Sequence, residues 1–378
     1  MFVFPASALD RLLGALGRRG FRLIGPVVRD GAIVYDDIAA AADLPAGWAD
    51  DQAPGRYRLR RRASGDGTLF GYAVGPHSWK KYLFPPFDRL MSGNQPPADG
   101  PRRDEAPAKP FAFIGVRPCE LAAVAIQDRV FIGGAHRDPR YASRREGAFI
   151  VAVNCGDPAA TCFCASMGAG PRAESGFDIA LTELTGDTGT GNTGTGNTGH
   201  RFLAEPGTER GAAVLREVAA RPPAEADLSA ARAVTARARA AMTRAMPEVN
   251  LKQLLYDNYE SPRWDDVAAR CLSCGNCTMV CPTCFCFSVE DTSGLAGADP
   301  ERRRSWDSCF TGDHSYLHGG AVRVSVRSRY RQWATHKLAT WHDQFGTAGC
   351  TGCGRCIAWC PAGIDITEEV GAIEADDA

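Results

Sequence analysis

Two runs of cysteine limit what this chain can fold into more than anything else in it. CLSCGNCTMVCP, residues 271–282, has the spacing C-x2-C-x2-C-x3-C-P, and CTGCGRCIAWCP, residues 350–361, repeats it. Three thiols two residues apart close a loop around one centre, and a fourth before proline turns away from it. Each loop can wrap three corners of a [4Fe–4S] cube, with the fourth cysteine serving the other cube of a pair. The spacing therefore assigns Cys271, Cys274, Cys277 and Cys360 to one cluster. Cys281, Cys350, Cys353 and Cys356 take the other. The 69 residues from Cys281 to Cys350 are no obstacle, because the insertion can loop out. Structural zinc is the alternative, disfavoured because both runs close in Cys-Pro.

The rest of the chain is of ordinary globular composition, with 44% apolar and 23% charged residues. A net charge of −1 gives no field to gather nucleic acid or an anionic membrane. No apolar run reaches the ~18 residues of a spanning helix. The N-terminus has no basic stretch ahead of its apolar residues, so a signal peptide is not expected and the cytoplasm is. Fifteen cysteines in such a chain point to metal or redox work rather than a disulfide scaffold.

Taken in order, residues 7–18 predict an amphipathic helix. FRLIGPVV and AIVYDDI predict a hairpin around Arg29, Asp30 and Gly31. RYRLRR and TLFGYAV predict a second, turning at 64–67. The alternating Arg56, Arg58 and Arg60 belong on its wet face. HSWKKYLFPPFDRL, 77–90, is expected as a packed surface loop, its lysines and aromatics being the other candidate contact with a partner or cluster. Residues 93–110 are expected as an exposed loop.

FAFIGV, a helix opened by Arg117-Pro118-Cys119-Glu120, and AFIVAVN predict a strand–helix–strand unit with parallel strands. Cys119 and Cys155 then lie past two strand ends on one sheet edge, where open α/β sheets bind ligands. Cys162 and Cys164 follow closely. These four thiols are a candidate third cluster site; buried thiols packing as small apolar residues are the alternative. FDIALTEL and HRFLAE predict a hairpin whose loop holds Gly189, Gly191 and Gly194 in G-x-G-x-x-G spacing. It opens no helix within a βαβ unit, so it is rejected as a dinucleotide site. Helices are expected over 208–220 and 224–246. Cys284, Cys286 and Cys309 remain, with His314 and His318 spaced to share a helix face. A structural or potential-tuning role is preferred for them over a further metal site. No G-x-S-x-G or H-E-x-x-H occurs.

The expected architecture is α+β/α/β. A mixed α/β N-terminal domain (1–220) and a helical connector (221–262) precede a two-cluster ferredoxin-like domain with an insertion (263–378).

GVRPCELAAVAIQDRVF, NCGDPAATCFCASMG, CLSCGNCTMVCPTCFCFSVED, WDSCF and CTGCGRCIAWCPAGIDI carry a more particular likeness. From Phe21 to Ile366 the chain resembles the beta subunit of soluble NAD(P)-linked nickel–iron hydrogenases, the sulfhydrogenases. The A subunit of anaerobic sulfite reductase has similar blocks. The resemblance implies a non-catalytic electron-transfer subunit with two [4Fe–4S] clusters and strengthens the case for a third. It also implies a flavin-containing NAD(P)H-oxidoreductase partner and the small and large nickel–iron hydrogenase subunits. No flavin or nickel is expected on this chain itself. An electron-transfer subunit of sulfite reductase and a free-standing ferredoxin-like carrier are the alternatives.

Overall fold

The computed structural model describes residues 1–63, 66–92, 109–185, 199–218, 220–293 and 300–377. The expected loop at 93–110 and the Gly-rich hairpin loop lie almost wholly outside the described residues. Among the described residues the strands, in chain order, are β1 (Phe2–Pro5), β2 (Arg22–Arg29), β3 (Ala32–Asp37), β4 (Trp48–Ala53), β5 (Arg56–Arg61), β6 (Phe87–Ser92), β7 (Phe111–Val116), β8 (Phe149–Val153), β9 (Ile179–Leu184), β10 (Arg201–Pro206), β11 (Phe287–Thr292), β12 (Glu301–Trp306), β13 (Tyr316–Leu317) and β14 (Gly320–Ala321).

A seven-stranded sheet in the order β1-β10-β9-β8-β7-β2-β3 forms the N-terminal part. Its centre, β2-β7-β8-β9, is parallel, and its margins are antiparallel. Every residue of β7 and β8 is buried, as expected of parallel strands covered on both faces. The β2–β3 hairpin turns at Asp30 and Gly31, both at positive φ (50° and 73°), the two-residue turn that matches strand twist. The helix Leu9–Arg18 buries Leu9, Leu12, Leu13 and Leu16 in this core. The crossover helix Pro118–Phe131 lies between β7 and β8, with a second helix, Pro139–Glu146, that periodicity did not reveal.

The predicted second hairpin is not the one formed. β5 pairs with β4 across Pro54 and Gly55, and Arg56, Arg58 and Arg60 do face solvent. TLFGYAV is no strand. Side chains satisfy its backbone instead: Glu183 accepts from the Leu69 and Phe70 amides (2.6 and 2.8 Å), Asp50 from Ala73, and Arg117 donates to Phe70 and Tyr72 carbonyls. Residues 77–90 are no surface loop either. Trp79 and Lys80 are buried, the first capping and the second opening a short helix, Lys80–Leu83, and β6 follows.

A second core gathers around the cysteine motifs, and Phe163 from the N-terminal part is buried in it. The insertion between the motifs forms the β11–β12 hairpin, and β12 pairs with β6. Buried Arg304 on β12 bonds Asp88 at 3.0 Å and also Asp138, while Arg140 and Arg144 reach Asp88 at 3.3 and 3.2 Å. Strand pairing and this ion network fasten the insertion to the N-terminal part. Among the described residues no helix is long and apolar enough to cross a membrane.

Candidate iron–sulfur centres

The two cysteine runs adopt one backbone. Ser273 and Gly352, the residues before each second cysteine, have φ 50° and 67°; Gly275 and Gly354, just after it, have φ 75° and 73°. One-turn helices follow, Asn276–Met279 and Arg355–Ala358. In each loop an amide points at the first sulfur: Ser273 N to Cys271 Sγ and Gly352 N to Cys350 Sγ, both 3.4 Å. Ile364 N does the same to Cys360 Sγ at 3.4 Å. Such N–H groups stabilise charge on ligand sulfur.

Cys271, Cys274, Cys277 and Cys360 line one cavity together with Cys356 of the second motif, closed by Phe310, Tyr330, Trp333, Ile364 and Ile366. The Tyr330 hydroxyl and Trp333 Nε1 are buried without a partner. The lining thus offers five thiols and two unspent donors to whatever fills it, and a [4Fe–4S] cube fits both. Burial first, then the charges of Cys309, Cys271, Cys360 and Cys274, push the Cys277 thiol well above its ordinary range.

The second set meets likewise. The Cys350 thiol is pushed up to about 12, by burial first, with Cys353 and Cys281 adding to it against Lys337. Cys356 is raised well above its ordinary range by burial, then Cys350, Cys353 and Cys281. Cys281 goes the other way: its contact with Cys284, then Lys337 and Thr283, hold it well below the thiol range against burial. Cys360 thus lies beside Cys271, Cys274 and Cys277, and Cys281 lies near Cys350 and Cys356.

Of the thiols expected at a third site, Cys119 and Cys164 lie near each other, and Cys155, Cys162 and Cys164 likewise. Burial pushes up Cys119, with Cys164 and Cys353 next, and Cys162, with Cys155, Cys164 and Cys353 next. Burial and Cys155 push Cys164 to about 12. Cys119 stands in the first turn of a 14-residue helix, whose N-terminal amides favour a thiolate. The buried Arg117 guanidinium opposes the burial that raises Cys155. The Cys353 carbonyl lies 3.8 Å from Cys162 Sγ, so this site abuts the second motif.

The contact between them is backbone on backbone. Phe163 N donates to Gly352 O at 2.9 Å. A Cβ at Gly352 would lie 2.6 Å from the Cys164 backbone, and one at Gly354 would lie 2.3 Å from Thr161 O. That is why the second run has glycine where the first has Ser273. Glu120 completes the join: 1% exposed, it pairs with Arg355 inside the second motif at 2.6 Å and accepts from Tyr35, Trp79 and the Arg117 amide.

The remaining cysteines separate. Cys284 turns to Cys281 and to Lys337, whose Nζ is 3.6 Å from its sulfur. Cys309, pushed up to about 12 by burial and then Cys286, lies toward the first cavity. His314 bonds Cys286, which chiefly raises its pKa, and lies 3.2 Å from Asp307. No helix forms over His314 and His318, so their spacing does not place them on one face. Gly319 and Gly320, at φ 105° and 141°, turn the chain into a small hairpin instead. Among the described residues no group of three or more His, Cys, Asp or Glu side chains is arranged to hold a single metal ion.

Two buried lysines complete the surroundings. Lys80 Nζ sits 3.7 Å over the Trp306 ring and donates to Cys284 O at 3.2 Å; burial lowers its pKa to about 8, against the pull of Cys284 and Cys281. Lys337 Nζ reaches Cys281 Sγ at 3.3 Å, Thr283 Oγ1 at 3.2 Å and Gly349 O at 3.1 Å. Its sequence surroundings, WATHKLATW, carry no motif that would single it out. Lys80 was visible in sequence only as half of a lysine pair.

Residues 270–364 match the family described as 4Fe-4S dicluster domain. Over 256 residues the chain is 34% identical to the sulfhydrogenase 2 subunit beta of Pyrococcus furiosus, a match covering 68% of this chain and 71% of that protein. No solved structure matches. The cysteine geometry and this likeness agree, and the chain belongs to the family of sulfhydrogenase beta subunits.

Proposed function

We propose that this chain is the wiring subunit of an NAD(P)-linked nickel–iron hydrogenase. It would stand between a flavin-containing NAD(P)H-oxidoreductase subunit and the hydrogenase small and large subunits. In this proposal Cys271, Cys274, Cys277 and Cys360 hold one [4Fe–4S] cluster, and Cys281, Cys350, Cys353 and Cys356 a second. Cys119, Cys155, Cys162 and Cys164 hold a third. Clusters, when bound, supply one-electron transfer. What this chain contributes is their burial, the N–H groups aimed at ligand sulfur, and a rigid splice between stations.

The observation that carries the proposal is the contact of Cys162 with Cys353 and of Phe163 with Gly352. A free-standing carrier has no use for a third thiol set locked to its second motif; a relay between partners does. Purification from the native source is the test. Co-purification with nickel and flavin is the expected result. A sirohaem absorbance in their place would move the chain to sulfite reduction, and a solitary monomer would refute the subunit role.

A further inference from the structure

The helix Val326–Thr335 continues through a π-turn, His336–Thr340, into Trp341–Phe345. Single π-turns inside helices commonly mark functional positions. On one side of this turn, Tyr330 and Trp333 offer a hydroxyl and an indole N–H to the first cavity. Within it, Lys337 turns its ammonium to the other centre, on Cys281 Sγ, Cys284 Sγ, Thr283 Oγ1 and Gly349 O. The lysine is 5% exposed, and none of these four acceptors is a carboxylate. A buried ammonium without a counter-ion is costly. The negative charge of thiolate-ligated iron is the compensation this geometry offers.

Lys80 adds a second cation to the same segment through Cys284 O, at 3.2 Å. The first cavity receives neutral donors from the helix, while the second centre receives a full charge. Reduction adds one electron to a centre and breaks no bond at the lysine. A fixed positive charge beside ligand sulfur favours the reduced state, and hydrogen bonds to sulfur act in the same sense.

Resting on the cluster assignment above, we propose that Lys337 is a positioning residue that sets the centre of Cys281, Cys350, Cys353 and Cys356 at the higher potential of the motif pair. An electron shared by the two is then held at the end that abuts the Cys119, Cys155, Cys162 and Cys164 site.

The test is an EPR-monitored redox titration of the chain in its native complex, comparing Lys337→Met and Lys337→Arg with the unaltered protein. The signal of the second centre is identified by its disturbance in Cys281→Ser. In Lys337→Met the reduced-to-oxidised ratio of that centre at fixed potential falls at least tenfold, ~59 mV for a one-electron couple. The first centre moves less than twofold, and Lys337→Arg restores the second toward its native value. A change under twofold at the second centre would overturn the proposal, as would equal shifts at both. Should Lys337→Met lose iron, Lys337→Gln is titrated in its place; loss of iron there too assigns the lysine a structural role and overturns the proposal. Failure of the underlying assignment is separate: the unaltered protein would then lack iron at the second motif before any lysine is changed.

Discussion

The amide of Phe163 donates to the carbonyl of Gly352 at 2.9 Å, and through it a loop of the α/β part lies flat on the second cysteine motif. Everything proposed about a relay depends on this splice. Phe163 is wholly buried in the core of the motif domain, so the two parts share packing as well as a hydrogen bond.

Gly352 is therefore expected to be irreplaceable. At φ 67°, with the Cys164 backbone 2.6 Å from any Cβ, Gly352→Ala is strained twice. Ser273 tolerates φ 50° at the matching position of the first motif, so Ser273→Gly is expected to be benign. Iron content and thermal melting of the two variants check this: Gly352→Ala loses iron at the second motif or the third site, and Ser273→Gly loses none.

Breaking the Glu120–Arg355 pair is expected to be costly. Both side chains are buried, and Glu120→Ala leaves the Arg355 guanidinium uncompensated. Removing one partner of such a pair costs about 3–5 kcal/mol. Chemical denaturation of the variant measures it; a loss within 1 kcal/mol, on the order of a surface ion pair, would contradict the placing of Glu120 as the clamp between the parts.

The crossing of the fourth cysteines has its own signature. Cys281→Ser is expected to alter the EPR signal of the centre wrapped by Cys350, Cys353 and Cys356 and to leave that of Cys271, Cys274 and Cys277 intact. The reverse outcome would make each motif ligate only its own cluster.

Acid stability is expected to carry a contribution from His77. Burial first, then Lys81 and Arg355, depress its pKa to about 4 from 6.5. Between those values the unfolded chain binds more protons at this site than the folded one, so stability falls as pH drops through that window. Below about 4 the penalty is complete. His77→Asn should flatten this part of the stability profile, and an unchanged slope between pH 4 and 6.5 would show that His77 does not contribute.

What was legible in the sequence was whatever periodicity or spacing encodes. FAFIGV and AFIVAVN announced buried parallel strands, and the strand–helix–strand rule put Cys119 and Cys155 on one edge. The paired motifs carried their own ligand chemistry. The TLFGYAV stretch misled because Glu183 and Asp50, more than twenty residues away from the amides they cap, take the place of a strand partner. Residues 77–90 misled because Lys80 and its aromatics look like surface until the insertion folds over them. Lys337 gave no signal at all: its role exists only once Cys281 and Gly349 are brought to it by the fold. The pairing of β12 with β6 was equally invisible, since it joins residues more than two hundred apart.

Iron and acid-labile sulfide per chain, measured on the unaltered protein and on Cys155→Ser, test the central claim most directly. Three centres predict about twelve irons, falling to about eight when Cys155 is replaced, since each cube holds about four. A native content of about eight that Cys155→Ser leaves unchanged, or zinc in place of iron, would contradict the account.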